Sequence, residues 1–221
     1  MIQRYEGIVF DMDGVLVDSE AFYYQRRKAF LKEYDLSIEQ IPISEFVGAD
    51  MRSLWAMILE VNDTSYDESF LNEKYLQYKL DHPINYGSMI DPDAKRVLQF
   101  LKRKGYKIGL ASSSMMDAIQ EVLKAGQLAS YFDVVVSGTQ FKKSKPAPEI
   151  YEYTASELGI APANCLALED SEKGIRSAHD AGMTVWAIKD TRFGMEQQLA
   201  DVQLNTLSDI CKKLQEVQVS V

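Results

Sequence analysis

The stretch GIVFDMDGVLVDS, residues 7–19, places a short apolar run directly before closely spaced aspartates. The run is too short for a helix, and its β-branched and aromatic residues favour a buried strand. Side chains two positions apart on an extended chain point the same way, so Asp11 and Asp13 are predicted to face one locus while Met12 packs behind them. Two carboxylates at one spot indicate a metal ion, a shared proton or both.

Strand-like and helix-like patterns alternate along most of the chain. Further short apolar runs occupy residues 106–112, 132–138, 165–170 and 183–188. Helical periodicity occupies residues 93–104, 116–125, 149–158 and 172–181, and most of these segments end at a glycine. The alternation predicts an α/β fold with a doubly wound, mostly parallel, Rossmann-like sheet that helices cover on both faces.

Residues 18–86 break this rhythm. They contain three amphipathic patterns with apolar residues at helical spacing and no convincing strand. We therefore expect an inserted all-helical domain over 18–86 and a sheet domain formed by 1–17 and 87–221. Asp18 and Ser19 are predicted to cap the first inserted helix.

The charge balance limits the classes of partner. Lys and Arg total 24 against 33 Asp and Glu, which gives a formal charge of -9. Such a surface repels phosphate backbones, so we expect no nucleic-acid partner, and an anionic substrate would need a local concentration of cations or a metal. No apolar run approaches the ~20 residues of a membrane span, and the first residues lack a secretory signal. We expect a monomer in the cytoplasm with no membrane partner.

Polar side chains follow several of the predicted strands. Ser112–Ser114 follow the second strand, and Glu169 with Asp170 follow the fourth. In an open parallel sheet the carboxyl ends of the strands form the ligand site, so these groups are expected to meet Asp11 and Asp13. Hard carboxylate oxygens favour Mg²⁺ over zinc or copper. Lys145, in the stiff loop KKSKPAPE, is the basic group most constrained by its setting.

Four segments in order, DMDGVLVDS, ASSS, SKPAPE and ALEDSEKGI, resemble the motifs of the haloacid dehalogenase superfamily of aspartate-nucleophile phosphotransferases. The resemblance extends from the first strand to about Ile188. It includes a helical cap after the first motif, as in the β-phosphoglucomutase-like phosphatases. The cap would close over the site, exclude water and contribute substrate contacts.

The resemblance implies a role for each matched residue. Asp11 would be the nucleophile that forms an aspartyl phosphate, and Asp13 would be the general acid and then the general base. Mg²⁺ would be held by Asp11, by the Asp13 backbone carbonyl and by Asp170, with Glu169 close by. The dehalogenating branch lacks the second aspartate, so Asp13 favours phosphorus chemistry.

The remaining motif residues would bind the phosphoryl group or shape the site. Ser112 and Ser113 would contact phosphoryl oxygens, and Lys145 would neutralise charge on the nucleophile and the transferring group. Gly14 would allow the chain to leave the strand sharply. The implied substrate is a small phosphorylated metabolite, such as a sugar phosphate.

The acceptor of the phosphoryl group can be water, as in a phosphatase, or a sugar hydroxyl, as in a β-phosphoglucomutase. The mutases have a His where this chain has Tyr23 and a Lys-Asn pair where it has Met115 and Met116. Their phosphate-binding cap Arg falls at Met51, with Arg52 adjacent. These departures favour hydrolysis, with a sugar phosphomutase as the alternative. Tyr23 and Arg52 are candidates for substrate contact.

Two other protein classes share parts of the pattern. A receiver-like phospho-acceptor module also places acids around an aspartate at strand ends, but it is about half this length and has no helical insertion. A dinucleotide-binding protein would account for the sheet, but no Gly-x-Gly-x-x-Gly follows any strand and no Walker loop occurs. Both remain as remote alternatives.

Overall fold

The structure, a computed structural model, describes residues 5–219. Six parallel strands form one sheet in the order β3-β2-β1-β4-β5-β6. The strands are β1 (Gly7–Phe10), β2 (Lys107–Ser112), β3 (Val134–Ser137), β4 (Cys165–Glu169), β5 (Thr184–Ile188) and β6 (Val202–Leu204). The predicted doubly wound α/β fold is confirmed. Residues 1–4, at the start of the expected sheet domain, lie outside the described range.

Eight α-helices accompany the sheet in the described part of the chain. They are α1 (Glu20–Lys32), α2 (Met51–Val61), α3 (Glu68–Asp81), α4 (Ala94–Arg103), α5 (Met116–Ala125), α6 (Glu149–Leu158), α7 (Glu172–Asp180) and α8 (Asp209–Val219). Successive strand residues point to opposite faces, so Ile8 and Phe10 pack with α4, α5 and α8, whereas Val9 packs with α6 and α7. The sheet is therefore buried on both sides.

Helices α1, α2 and α3 lie between β1 and β2 and bury an apolar cluster of their own. Phe30, Trp55 and Tyr75 are almost fully buried there, and their rings contact one another edge-on or tilted. The second amphipathic pattern of the insertion runs over residues 44–61, but α2 begins only at Met51. Gly48 has φ +66°, and Asp50 accepts backbone hydrogen bonds as the N-cap, so the preceding residues form a loop.

The predicted capping role of Asp18 is wrong. Its carboxylate forms a bidentate ion pair with the guanidinium of Arg192, at 2.7 and 2.9 Å, and Ser19 makes no capping hydrogen bond with its side chain. The Ser19 hydroxyl donates instead to Asp13. The guanidinium of Arg192 and the carboxylate of Asp13 therefore replace the local backbone amides as the partners of Asp18 and Ser19.

None of the described helices is both long and apolar enough to cross a membrane.

Candidate active site

The two strands that flank β1 are β2 and β4, so the strand order reverses at β1. Asp11 directly follows β1, and its backbone amide donates to the carbonyl oxygen of Leu168 on β4 at 2.9 Å. This hydrogen bond continues the ladder one residue past the end of β1. The Asp11 side chain therefore lies at the switch point, where ligands bind in sheets of this kind.

The ammonium of Lys145 lies at the centre of a buried hydrogen-bond network. Its Nζ donates to Asp11 Oδ1 at 2.7 Å, to Glu169 Oε1 at 2.6 Å and to the Ala111 carbonyl at 3.0 Å. The Lys145 side chain is only 2% exposed. Burial acts to lower the pKa of Lys145, but the Asp11 and Glu169 carboxylates outweigh it and raise that pKa above its ordinary value. Lys145 therefore remains charged and links two of the predicted motifs.

Tyr151, on α6, belongs to the same network and was not predicted from the sequence. Its hydroxyl donates to Glu169 Oε1 at 2.5 Å and lies 3.2 Å from Lys145 Nζ, which also lies 4.8 Å from the centre of its ring. Tyr151 falls on the apolar face of α6 beside Ile150, so its pattern is that of a core residue. Its position six residues after Lys145, in the first turn of the following helix, was the available signal.

Asp13 is held by hydroxyl groups. Ser19 Oγ donates to Asp13 Oδ1, and Ser114 Oγ donates to Asp13 Oδ2 at 2.9 Å. Burial raises the pKa of Asp13, while hydrogen bonds from Ser19, Ser114 and Tyr23 act to lower it. The Tyr23 hydroxyl also lies 3.0 Å from that of Tyr86. Tyr23 therefore lies near Asp13, the aspartate that was predicted to move protons.

The three serines at the end of β2, Ser112–Ser114, differ in burial and in hydrogen-bond partner. Ser112 is buried, and its Oγ accepts a hydrogen bond from the Ser114 amide at 3.1 Å, while Ser113 is half-buried beside it. It is Ser114 whose hydroxyl reaches Asp13. Arg52 is exposed in the first turn of α2, and no hydrogen bond or ion pair joins its side chain to these groups within residues 5–219.

Three carboxylates can converge on one cation. Oxygen atoms of Asp11, Glu169 and Asp170 lie within 4.8 Å of one another. Burial, with the nearby charges of Glu169 and Asp11, raises the pKa of Asp170 well above its ordinary value. Burial raises the pKa of Asp11 to about 8, although Lys145 acts to lower it. A single ammonium does not offset the two buried carboxylates and the half-buried one, so this donor set fits a hard divalent cation.

Because Gly14 has no side chain, the Asp170 carboxylate can pack directly against its backbone. Gly14 has φ +82°, and a Cβ there would overlap the Asp170 carboxylate. The sharp turn expected at this glycine is present. The close approach of Asp170 is a second reason for glycine at this position.

Replacing Gly14 by Ala should destabilise the protein by more than the strain of its left-handed backbone alone. Gly105 is a matched control, since it has φ +81° but a Cβ added there would meet no atom within 4 Å. We expect about 1–2 kcal/mol for Gly105→Ala, and at least about 1 kcal/mol more for Gly14→Ala. Urea unfolding of both variants measures the difference. Equal losses would show that Asp170 is free to move away.

The helical insertion contacts the sheet domain around this site. The carboxylate of Glu20 on α1 is buried and accepts from the Gly48 amide at 3.3 Å. Ser144 Oγ, next to Lys145, donates to Asp50 Oδ2 at 2.6 Å. Burial, together with the charge of Asp13, raises the pKa of Glu20 to about 8. The insertion thus contacts the loop that carries Lys145, and Glu20 adds a buried acid near Asp13 that sequence reasoning missed.

A covered cluster of carboxylates and one lysine, at the switch point of a parallel sheet, defines an α/β enzyme with a carboxylate-centred site. Comparison with protein families gives the particular class. Residues 8–188 match the model of the haloacid dehalogenase-like hydrolases, so the chain belongs to this family. The resemblance found in the four motifs is confirmed.

Individual relatives cover most of the chain. It is 29% identical over 180 residues to a phosphorylated carbohydrates phosphatase of Thermotoga maritima, covering 80% of this chain and 82% of the relative. It is 28% identical to a phosphoglycolate phosphatase of Aquifex aeolicus, covering 93% of this chain and 94% of the relative. The crystal structure of a β-phosphoglucomutase from Clostridium difficile superposes with a TM-score of 0.81 at 25% identity, covering 96% of each chain.

Proposed function

We propose that this protein is a Mg²⁺-dependent phosphatase that hydrolyses a small phosphate monoester, such as a sugar phosphate, through an aspartyl phosphate on Asp11. The observation that carries the proposal is the contact of Lys145 with both Asp11 and Glu169 at the switch point, beside Asp13. The phosphatases and phosphomutase among its relatives support the same chemistry.

The first half-reaction is an in-line displacement at phosphorus. A carboxylate oxygen of Asp11 forms a bond to phosphorus while the ester oxygen leaves, and Asp13 gives that oxygen a proton. The Ser19 and Ser114 hydroxyls keep the Asp13 carboxyl oriented for this transfer. The product alcohol then departs, and the phosphoryl group stays on Asp11.

The second half-reaction releases phosphate. Asp13, now ionised, takes a proton from water, whose oxygen attacks phosphorus and breaks the bond to Asp11. Lys145 offsets negative charge on Asp11 and on the phosphoryl oxygens, and Ser112 and Ser113 hydrogen-bond those oxygens. A Mg²⁺ ion held by Asp11, Asp170 and the Asp13 carbonyl, with Glu169 nearby, would supply further positive charge when bound.

We also propose the two-domain organisation that the sequence suggested. Residues 18–86 form the cap, and residues 1–17 with 87–221 form the catalytic domain. The hydrogen bond from Ser144, next to Lys145, to Asp50 of the insertion supports a cap that closes over Asp11 and excludes bulk water.

Hydrolysis is favoured over transfer because of the environment of Asp13. Where the mutases have a His that restrains this aspartate, the chain has Tyr23, whose hydroxyl acts on Asp13 and contacts Tyr86. A phenol of raised pKa cannot take up and release a proton near neutral pH as a His can. A sugar phosphomutase remains the second candidate, since a structurally similar protein is a β-phosphoglucomutase.

A product assay with β-glucose 1-phosphate tests the choice. With Mg²⁺ present, we expect inorganic phosphate and glucose to form faster than glucose 6-phosphate, and chelation of the metal should stop both reactions. p-Nitrophenyl phosphate and a hexitol phosphate extend the assay to other monoesters. Faster formation of glucose 6-phosphate would favour the mutase, and no turnover of any monoester would refute the proposal.

A further inference from the structure

Arg27, on α1, has a buried guanidinium that lacks hydrogen bonds. The residue is 5% exposed, its Nε has no hydrogen-bond partner, and no hydrogen bond or ion pair to its side chain occurs within residues 5–219. The ring of Phe46, 5.4 Å away, provides a cation–π contact. A buried charge without hydrogen bonds is costly, and this guanidinium has donors left for a ligand.

The position of Arg27 on α1 places it beside the site. Glu20, Tyr23 and Arg27 are spaced by three and four residues and therefore share one face of the helix. Tyr23 acts on Asp13, and Arg27 lies one turn farther along, about 6 Å along the axis. Arg27 thus lies on the face of α1 that also carries Tyr23, the residue next to Asp13.

Two more cations and a hydroxyl accompany Arg27. The guanidinium of Arg26 lies 5.9 Å and the ammonium of Lys79 lies 5.6 Å from the centre of the Tyr75 ring. The Tyr75 hydroxyl is buried and, like Arg27 Nε, has no hydrogen-bond partner within residues 5–219. Burial and the charges of Arg26 and Arg27 lower the pKa of Lys79. Three like charges are thus gathered in a protein whose net charge is -9.

The nearest acid does not account for this group of cations. Glu20 is the carboxylate that acts on Arg27, but no salt bridge joins the two in the part of the chain that the structure describes. The Glu20 carboxylate instead accepts a hydrogen bond from the Gly48 amide. One carboxylate cannot offset three cations, so the group has capacity for a further anion.

We propose that Arg27, Arg26, Lys79 and the Tyr75 hydroxyl form a cap subsite for an anionic group at the far end of the substrate. The substrate would then be a phosphomonoester that carries a second phosphate or a carboxylate. The inference rests on the proposed phosphatase function and names its substrate class. It also moves anion recognition from Arg52, which is exposed on α2, to α1 and α3.

Kinetics with matched substrate pairs test the subsite. 3-Phosphoglycerate and glycerol 3-phosphate differ in a carboxylate, and glucose 1,6-bisphosphate and glucose 1-phosphate differ in a phosphate. In at least one pair, the wild type should prefer the anionic member by about tenfold or more in kcat/KM. Arg27→Gln should bring that ratio close to one while turnover of p-nitrophenyl phosphate, which has no second anion, changes little.

Two further variants make the kinetic result decisive. Lys32→Gln, an exposed change on the same helix, should leave the preference intact. Arg27→Met fills similar volume without a charge, and it should fold at least as stably as the wild type while losing the preference. The subsite is refuted if neither pair shows a preference for the anion. It is also refuted if the Arg27 variants lower turnover of p-nitrophenyl phosphate as much as that of the anionic substrate.

Binding to the Asp11→Asn protein separates this inference from the proposed function. Calorimetry should show tighter binding of 3-phosphoglycerate than of glycerol 3-phosphate, or of the bisphosphate than of glucose 1-phosphate. Equal affinities in both pairs would refute the subsite even if the wild type hydrolyses p-nitrophenyl phosphate. Preferential binding by a protein that hydrolyses no monoester would refute only the phosphatase.

Discussion

Replacing Asp11 by Asn should reduce Mg²⁺-dependent phosphate release from p-nitrophenyl phosphate by at least about 10⁴-fold, as expected when a covalent nucleophile is lost. The amide has almost the same shape but cannot form the aspartyl phosphate. It also replaces a buried carboxyl that can ionise, in a cluster short of positive charge, by a neutral group, so the variant should fold at least as stably as the wild type in the absence of metal. Phosphate release and thermal unfolding measure the two effects.

Asp18→Asn is the matched control, because Asp18 lies in the same segment but is exposed and pairs with Arg192. It should retain nearly full activity. If Asp11→Asn kept more than about one hundredth of the wild-type rate, Asp11 could not be the nucleophile.

Replacing Lys145 by Met should both abolish activity and weaken the fold. The change leaves Asp11 and Glu169 buried without their shared cation, which typically costs about 3–5 kcal/mol. The loss should be larger at pH 8 than at pH 5.5. Lys145 holds the pKa of Asp11 down, so without it Asp11 takes up a proton more readily and at low pH no longer carries an uncompensated charge. Urea unfolding at the two pH values, with metal chelated, measures the cost.

Lys143→Met, in the same loop but exposed, should change stability by less than about 0.5 kcal/mol. Added Mg²⁺ should recover part of the stability of Lys145→Met without restoring turnover. A Lys145→Met protein as stable as the Lys143→Met control at pH 8 would show that the carboxylates do not depend on the lysine.

Most of the fold was predictable because the sheet is parallel and buried. Strand β1 is apolar throughout and β4 is apolar up to Glu169, and clear helical patterns separate the strands, so both type and order were evident. The edge strand β6 has only three residues, and α8 follows it closely, so neither produced a distinct pattern. The start of α2 was also missed, since the apolar pattern continues through a loop that Gly48 shapes.

The candidate site was predictable where residues follow strands. Asp11 and Asp13 were found because acidic side chains directly after an apolar strand are conspicuous. Lys145 was found because the prolines that follow it fix its loop. Tyr151, Ser114 and Glu20 were missed or left unassigned, because each lies in a pattern typical of a helix face or a helix start. Their contacts depend on tertiary geometry that joins segments more than one hundred residues apart in the case of Ser114 and Asp13. For Asp18 the prediction was wrong in the opposite way. Its local sequence is typical of a helix cap, but its carboxylate pairs with Arg192, which is distant in sequence.

The backbone hydrogen bond from Asp11 to Leu168 has a consequence for how the enzyme could adapt to different molecules. Asp11, the proposed nucleophile, is joined by its backbone amide to the neighbouring strand at Leu168, one residue before Glu169, so its position is fixed by the sheet. Motion of the insertion cannot displace Asp11 relative to the sheet without breaking sheet hydrogen bonds. If the proposed function holds, a different substrate would be accommodated by substitutions in the α1–α3 layer, while the sheet keeps Asp11 in place.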